Sequence, residues 1–266
     1  MKTSTGYKIW QIVYPIGIYY VVSSLAYFVL TLFLGEDTQT YMVRQMFCSA
    51  VTIPVIQSFY IQDKHTEEIV YGKRTFSVNP WFLWMAGIAA VGMALLGFAV
   101  NNLITMTGLT GVSAGFERAN TAFFGGTVLY ELLGSCLLIP VAEELIFRGV
   151  VFKRLKLYIG AVPAMVLSAL IFGIMHVNLV QCLYAALLGL GLALLYEKSN
   201  LFCIPVIGHI AANLVAVARA ETGIFDFAFY PSVSGIVVTF VAAACAGMLL
   251  YRAWKMPGWE DMQDRQ

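Results

Sequence analysis

The stretch Pro140-Val141-Ala142-Glu143-Glu144-Leu145-Ile146-Phe147-Arg148-Gly149 places three ionisable side chains inside an otherwise apolar run. Charge at membrane depth costs about 2.5–3.5 kcal/mol per residue on insertion scales, so a membrane helix that keeps three charges uses them. Glu144 and Arg148 stand four apart on one helical face, acid before base, the order that favours an ion pair. Glu143 points elsewhere and has no local partner. The segment reads as a membrane helix that carries chemistry.

Composition agrees with a membrane setting. Of 266 residues, 60% are hydrophobic and 12% charged, against about a quarter charged in an ordinary soluble domain. A net charge of +1 with no Lys/Arg-rich arm argues against a nucleic-acid partner. The five cysteines are scattered through apolar segments without CxxC spacing, so no disulfide framework is expected. The first apolar run is too long for a signal-peptide core and reads as a retained span.

Apolar runs predict an all-α, multi-pass transmembrane helical bundle, a single integral membrane domain over residues 1–266. About eight membrane helices are expected, near Ile9–Leu34, Tyr41–Ile61, Trp81–Ile104, Ala122–Phe152, Ala161–Val177, Cys182–Tyr196, Phe202–Val217 and Val233–Tyr251. The fifth and sixth are short and read as a hairpin that need not cross fully. With the N-terminus inside, Lys2, Lys8, Lys64, Lys73, Arg74, Arg148, Lys153, Arg154, Lys156, Lys198, Arg252, Lys255 and Arg265 fall at inner ends. Only Arg44, Arg118 and Arg219 fall outside. That asymmetry favours an even number of crossings with both termini cytoplasmic.

Further polar groups recur at helical spacing. His176 follows Phe172 by four residues, and His209 precedes Asn213 by four. Counted from inner helix ends, Glu143 lies about 14 Å deep, His209 about 10 Å, Asn213 about 16 Å and His176 about 22 Å. The four can meet in one band, expected in the inner half of the bilayer. The bland readings are an interfacial charge cluster for Glu143, Glu144 and Arg148, a satisfied core histidine for His176, and interhelical hydrogen bonding for His209 and Asn213. Glu131 reads as interfacial and His65 as solvated in a loop. Gly111-Val112-Ser113-Ala114-Gly115 matches G-x-S-x-G, but lies in an outer loop without the strand–turn–helix that a nucleophile elbow needs. Ala185, Gly189 and Ala193 read as a helix-packing face.

Taken in order, Glu143-Glu144-x-x-x-Arg148, Phe172-x-x-x-His176 and His209-x-x-x-Asn213 resemble the CPBP family of intramembrane proteases, which includes the CAAX prenyl endopeptidases and the bacteriocin-processing or Abi proteins. The resemblance covers about residues 126–217, the expected catalytic core. It implies an intramembrane endopeptidase acting on a membrane-associated peptide or protein, of the prenylated CaaX type in eukaryotic members. It further implies that Glu143 and His176 activate the hydrolytic water and that His209 and Asn213 steady the oxyanion. Glu144, Arg148 and Phe172 then support them. No cofactor is required by this reading, although Glu143, His176 and His209 could supply three ligands to a catalytic zinc. The expected location is a bacterial plasma membrane, with the site accessible from the cytoplasmic side. The rival reading is a proton- or ion-coupled transporter using the same carboxylates and histidines.

Overall fold

The computed structural model describes residues 4–72 and 76–258. Among these, every regular element is helical. Nine helices make the framework: α1 Thr5–Leu34, α2 Thr38–Tyr71, α3 Pro80–Met106, α4 Ala114–Phe123, α5 Val128–Ile159, α6 Ala161–Ile174, α7 Leu179–Ser199, α8 Cys203–Thr222 and α9 Val233–Lys255. Single turns at Leu109–Val112 and Asp226–Phe229 link their neighbours. Side-chain caps start several of them. Ser4, Asp37, Asn79, Ser113, Asn178 and Ser232 each accept a backbone N–H of the first turn.

Five of these helices are long and apolar enough to cross a membrane, or six if the bent pair α4 and α5 is taken as one span. The chain is an integral, multi-pass, all-α membrane protein. The difference from the eight expected runs has physical causes. α6 has 14 residues and reaches only about 21 Å. α2 continues past its apolar run through Asp63, Lys64, His65 and Glu67 to Tyr71, so His65 is exposed on a helix and not in a loop. The sixth run grows from Cys182–Tyr196 to the full α7.

The charged end of α2 is helical because it has partners. Arg154 of α5 makes a two-pronged contact with Asp63, at 2.8 and 3.0 Å, and also donates to the Gln11 carbonyl and the Tyr14 hydroxyl of α1. Lys153 lies 2.7 Å from Glu67. These bonds gather the start of α1, the end of α2 and the end of α5 at one end of the bundle. Trp81 Nε1 donates to the Pro257 carbonyl and adds the start of α3 and the end of α9. This end holds Lys8, Lys64, Lys153, Arg154, Lys156, Lys198, Arg252 and Lys255. At the opposite end stand Arg44, Arg118 and Arg219, of which Arg44 donates to the Gly35 and Asp37 carbonyls and Arg219 lies 3.1 Å from Asp226. Lys2, Lys73, Arg74 and Arg265 lie outside the described residues.

The two larger of three apolar clusters bind the central helices together. One joins α5, α6 and α7 through Ile146, Phe147, Val150, Phe152, Phe172 and Tyr196. The other joins α3, α7 and α8 through Met85, Met93, Leu188, Leu192 and Ile204. Small residues let these backbones approach, as is usual where packing rather than water exclusion drives association. At Gly173 an added Cβ would lie 2.6 Å from the Cys182 carbonyl oxygen and 2.8 Å from the Ala186 Cβ. Gly173→Ala is therefore expected to destabilise the fold by about 1–3 kcal/mol through overpacking between α6 and α7. Thermal unfolding in detergent measures this, and an unshifted midpoint would show that the two helices do not need their close crossing.

Candidate active site

The site is built on a helix that departs twice from α-helical winding. Within α5, residues Gly134–Leu138 and Leu145–Phe152 are π-helical and flank the α-helical turns that carry Glu143 and Glu144. A π-helical segment redirects side chains and loosens the usual hydrogen-bond ladder, which is why such segments recur at functional sites. The first has a direct use: Asn213 Nδ2 of α8 donates to the Ser135 carbonyl at 2.7 Å. The second contains Arg148. Its eight residues are all buried.

Arg148 is 1% exposed and Glu144 0%, with Nη1 to Oε1 at 2.8 Å. The guanidinium also donates to the Gly189 carbonyl at 3.1 Å and stacks 4.6 Å from the Phe172 ring centre. Gly189 is what lets α7 approach, because an added Cβ would stand 3.1 Å from both the guanidinium and Phe172. The motif pair is thus tied to α6 and α7 as well as to itself. The packing face expected at Ala185, Gly189 and Ala193 is buried as a whole.

The same Glu144 oxygen receives His209 Nδ1 at 2.8 Å. A carboxylate can only accept here, so His209 carries its proton on Nδ1 and turns Nε2 toward Glu143 Oε2, 3.7 Å away. Spacing along the sequence does not contain this bond, since its partners are 65 residues apart. His176 is fixed in the same manner. Its Nδ1 lies 2.9 Å from the Phe172 carbonyl, which accepts, leaving Nε2 without that proton. His176 stands just past the end of α6, followed by Val177 at φ 65. A β-branched residue in the left-handed region is strained, by about 1–3 kcal/mol. Phe172 is the hub, with its ring edge-on to His176 at 4.9 Å and to His209 at 6.1 Å.

Glu143, His176, His209 and Asn213 all line one cavity of about 180 Å³, together with Ser135 and Phe172. The remaining walls include Asn101 and Ile104 of α3, Phe116, Asn120, Phe123 and Phe124 around α4, and Gln181, Tyr184 and Leu188 of α7. These positions run from mid-bundle toward the end away from the basic cluster. Glu143 is central on α5, and residues 145–152 beyond it are buried throughout.

Among the described residues no group of three His, Cys, Asp or Glu side chains is placed to hold a metal ion. Glu131, in the first turn of α5, is buried within the protein, with Glu221 nearby. Ser113 is the N-cap of α4, accepting the Phe116 N–H at 3.3 Å, with no strand before it.

With Nδ1–H given to Glu144, His209 offers an N–H to the cavity only when Nε2 also carries a proton. Asn213 keeps a second amide hydrogen after bonding Ser135. A basic oxygen, two imidazoles and an amide therefore border a space that holds a few waters or an extended backbone segment.

Comparison with known proteins converges on the same stretch. Residues 125–215 match the family model described as type II CAAX prenyl endopeptidase Rce1-like. Over 78 residues the chain is 32% identical to "Putative membrane peptidase YdiL" of Bacillus subtilis (strain 168), covering 29% of this chain and 32% of that protein. The matched region spans about a third of the relative's length. No solved structure matches the chain. The matched residues 125–215 contain all three polar motifs, so it is in this stretch that the chain is similar to the type II CAAX prenyl endopeptidase Rce1-like family.

Proposed function

We propose that the protein is an intramembrane endopeptidase that hydrolyses a peptide bond of a membrane-associated substrate. The observation that carries this reading is the convergence of Glu143, His176, His209 and Asn213 from two helices and one helix end on one cavity. Glu143, at 17% side-chain exposure, reaches the cavity with His209 Nε2 3.7 Å from its Oε2. It takes the proton of a water that His176 Nε2 also orients, and the hydroxide adds to the scissile carbonyl. Protonated His209 and the free amide hydrogen of Asn213 face the oxyanion that forms. Glu143 then passes its proton to the leaving amine. Glu144, shared between Arg148 and His209, holds the imidazole in place, the role a carboxylate plays behind a catalytic histidine. No step uses a metal.

A purified full-length chain in detergent, given a library of membrane-tethered peptides with and without a prenyl group, tests this by mass spectrometry of the products. Asn213→Ala is expected to lower kcat by about 10²–10³-fold, the loss typical of one oxyanion donor, with the unfolding midpoint little changed. Absence of any cleavage by the natural sequence across the library would sink the reading. Cleavage that depends on the prenyl group would assign the CaaX-type substrate.

A further inference from the structure

We infer that Tyr184 and Asn101 form a subsite that hydrogen-bonds a peptide group of the substrate backbone flanking the scissile bond. The inference rests on the peptidase reading for what the substrate is, and on separate observations for the contact. Both side chains line the cavity that holds Glu143, His176, His209 and Asn213. Neither the Tyr184 hydroxyl nor the Asn101 side-chain amide has a hydrogen-bond partner among the described residues. Neither is sealed in packing, in contrast to the Tyr196 hydroxyl, which is. Unpaired polar groups inside a membrane bundle are costly, so two that face one space suit something that enters it.

Helices α3, α7 and α8 bring the two groups together. A Cβ added at Gly97 of α3 would lie 3.1 Å from the Tyr184 hydroxyl and 3.2 Å from the Ala212 Cβ. The hydroxyl therefore stands against Gly97, beside the turn of α8 that carries Asn213. Asn101 follows Gly97 by four residues and lies one turn along the same face of α3. Behind the pair is a void of about 10 Å³, walled by Gly97, Phe98, Ala212 and Phe229, at the lower limit for a single water. Arg219, which also borders that void, is engaged by Asp226 at 3.1 Å and by the Phe229 ring. Partners for both Tyr184 and Asn101 must then come from the larger cavity. Ile104, Phe116, Val180 and Leu188 make the wall around them apolar. A charged group finds no opposite charge there. A carboxamide offers a donor and an acceptor side by side, the complement of a peptide group, and a phenol adds a donor for a carbonyl. Bonds of this kind, made equally before and in the transition state, lower KM rather than raise kcat.

The test measures peptide binding apart from cleavage, with the full-length chain in lipid nanodiscs. Glu143→Gln binds without cutting, and the probe is the peptide of the membrane-tethered library that this variant retains most tightly. Adding Tyr184→Phe or Asn101→Leu, each close in shape to the residue replaced, is expected to raise Kd by about 3–10-fold, the loss of one neutral hydrogen bond. The unfolding midpoint should stay in place. The probe is also made with one backbone amide at a time replaced by an ester, which deletes that N–H. At one position the ester is expected to weaken binding to the chain that keeps Asn101 and to have no further effect in Asn101→Leu. Such non-additivity marks a direct contact, and a merely structural role for Asn101 does not produce it. Unchanged Kd in both variants, or ester effects that add at every position, overturns the inference. So does a chain that retains no peptide. Cleavage is scored separately on the natural sequence. A peptide bound through Tyr184 and Asn101 but never cut sinks the peptidase reading alone, whereas cleavage with Kd unaltered in both variants sinks the subsite alone.

Discussion

Arg148→Ala is expected to lower the stability of the fold by about 3–5 kcal/mol, the usual cost of removing one partner from a buried ion pair. The reason is that Arg148 serves four neighbours at once. It neutralises Glu144, satisfies the Gly189 carbonyl, covers the Phe172 ring and, through Glu144, sets the position of His209. Alanine leaves a carboxylate at 0% exposure with only an imidazole beside it. It also leaves a cavity between α5, α6 and α7. Lysine keeps the charge but not the fork, so Arg148→Lys is expected to recover only part of the loss. Unfolding in detergent followed by circular dichroism measures both. A midpoint unchanged in Arg148→Ala would show that the pair is not structural.

Glu143→Gln is expected to reduce kcat by about 10²–10⁴-fold, the range that general acid–base catalysis supplies. Glutamine matches glutamate in size and still fills its place on the cavity wall. It cannot accept the water's proton or return it to the amine. Because Glu143 lines the cavity and its contact with His209, at 3.7 Å, is longer than a hydrogen bond, stability should stay close to the natural sequence, and KM should move less than kcat. Equal losses in kcat and in folded fraction would instead make Glu143 a structural residue.

The local part of this site is legible in the sequence. Glu144 and Arg148, or His209 and Asn213, meet because a helix brings residues four apart onto one face, which spacing alone dictates. Apolar runs likewise mark the helices. What is not legible is set by contacts between distant segments. Glu144 bonds His209, Asn213 bonds the Ser135 carbonyl, and α4 folds over the cavity after a 106° bend. The π-helical winding of α5 depends on how neighbouring helices accommodate it, and the small pair Gly134-Ser135 beside Met42 is its one local sign. A fixed rise per residue places Glu143 midway along α5, but it does not give the solid packing of residues 145–152 beyond it. Hydropathy also cannot give helix length: α6 stops after 14 residues, and α2 runs on past its apolar stretch to Tyr71.

The most direct measurement compares two carboxylates of the same helix in one assay. Glu131 and Glu143 are twelve residues apart on α5; Glu131 is fully buried and does not line the cavity, whereas Glu143 does. Cleavage of a membrane-tethered peptide is followed for the natural sequence, Glu131→Gln and Glu143→Gln at equal folded fraction. Activity retained in Glu131→Gln and lost in Glu143→Gln is the expected result. Equal rates for all three chains, or loss in Glu131→Gln alone, would contradict the assignment of Glu143 as the base.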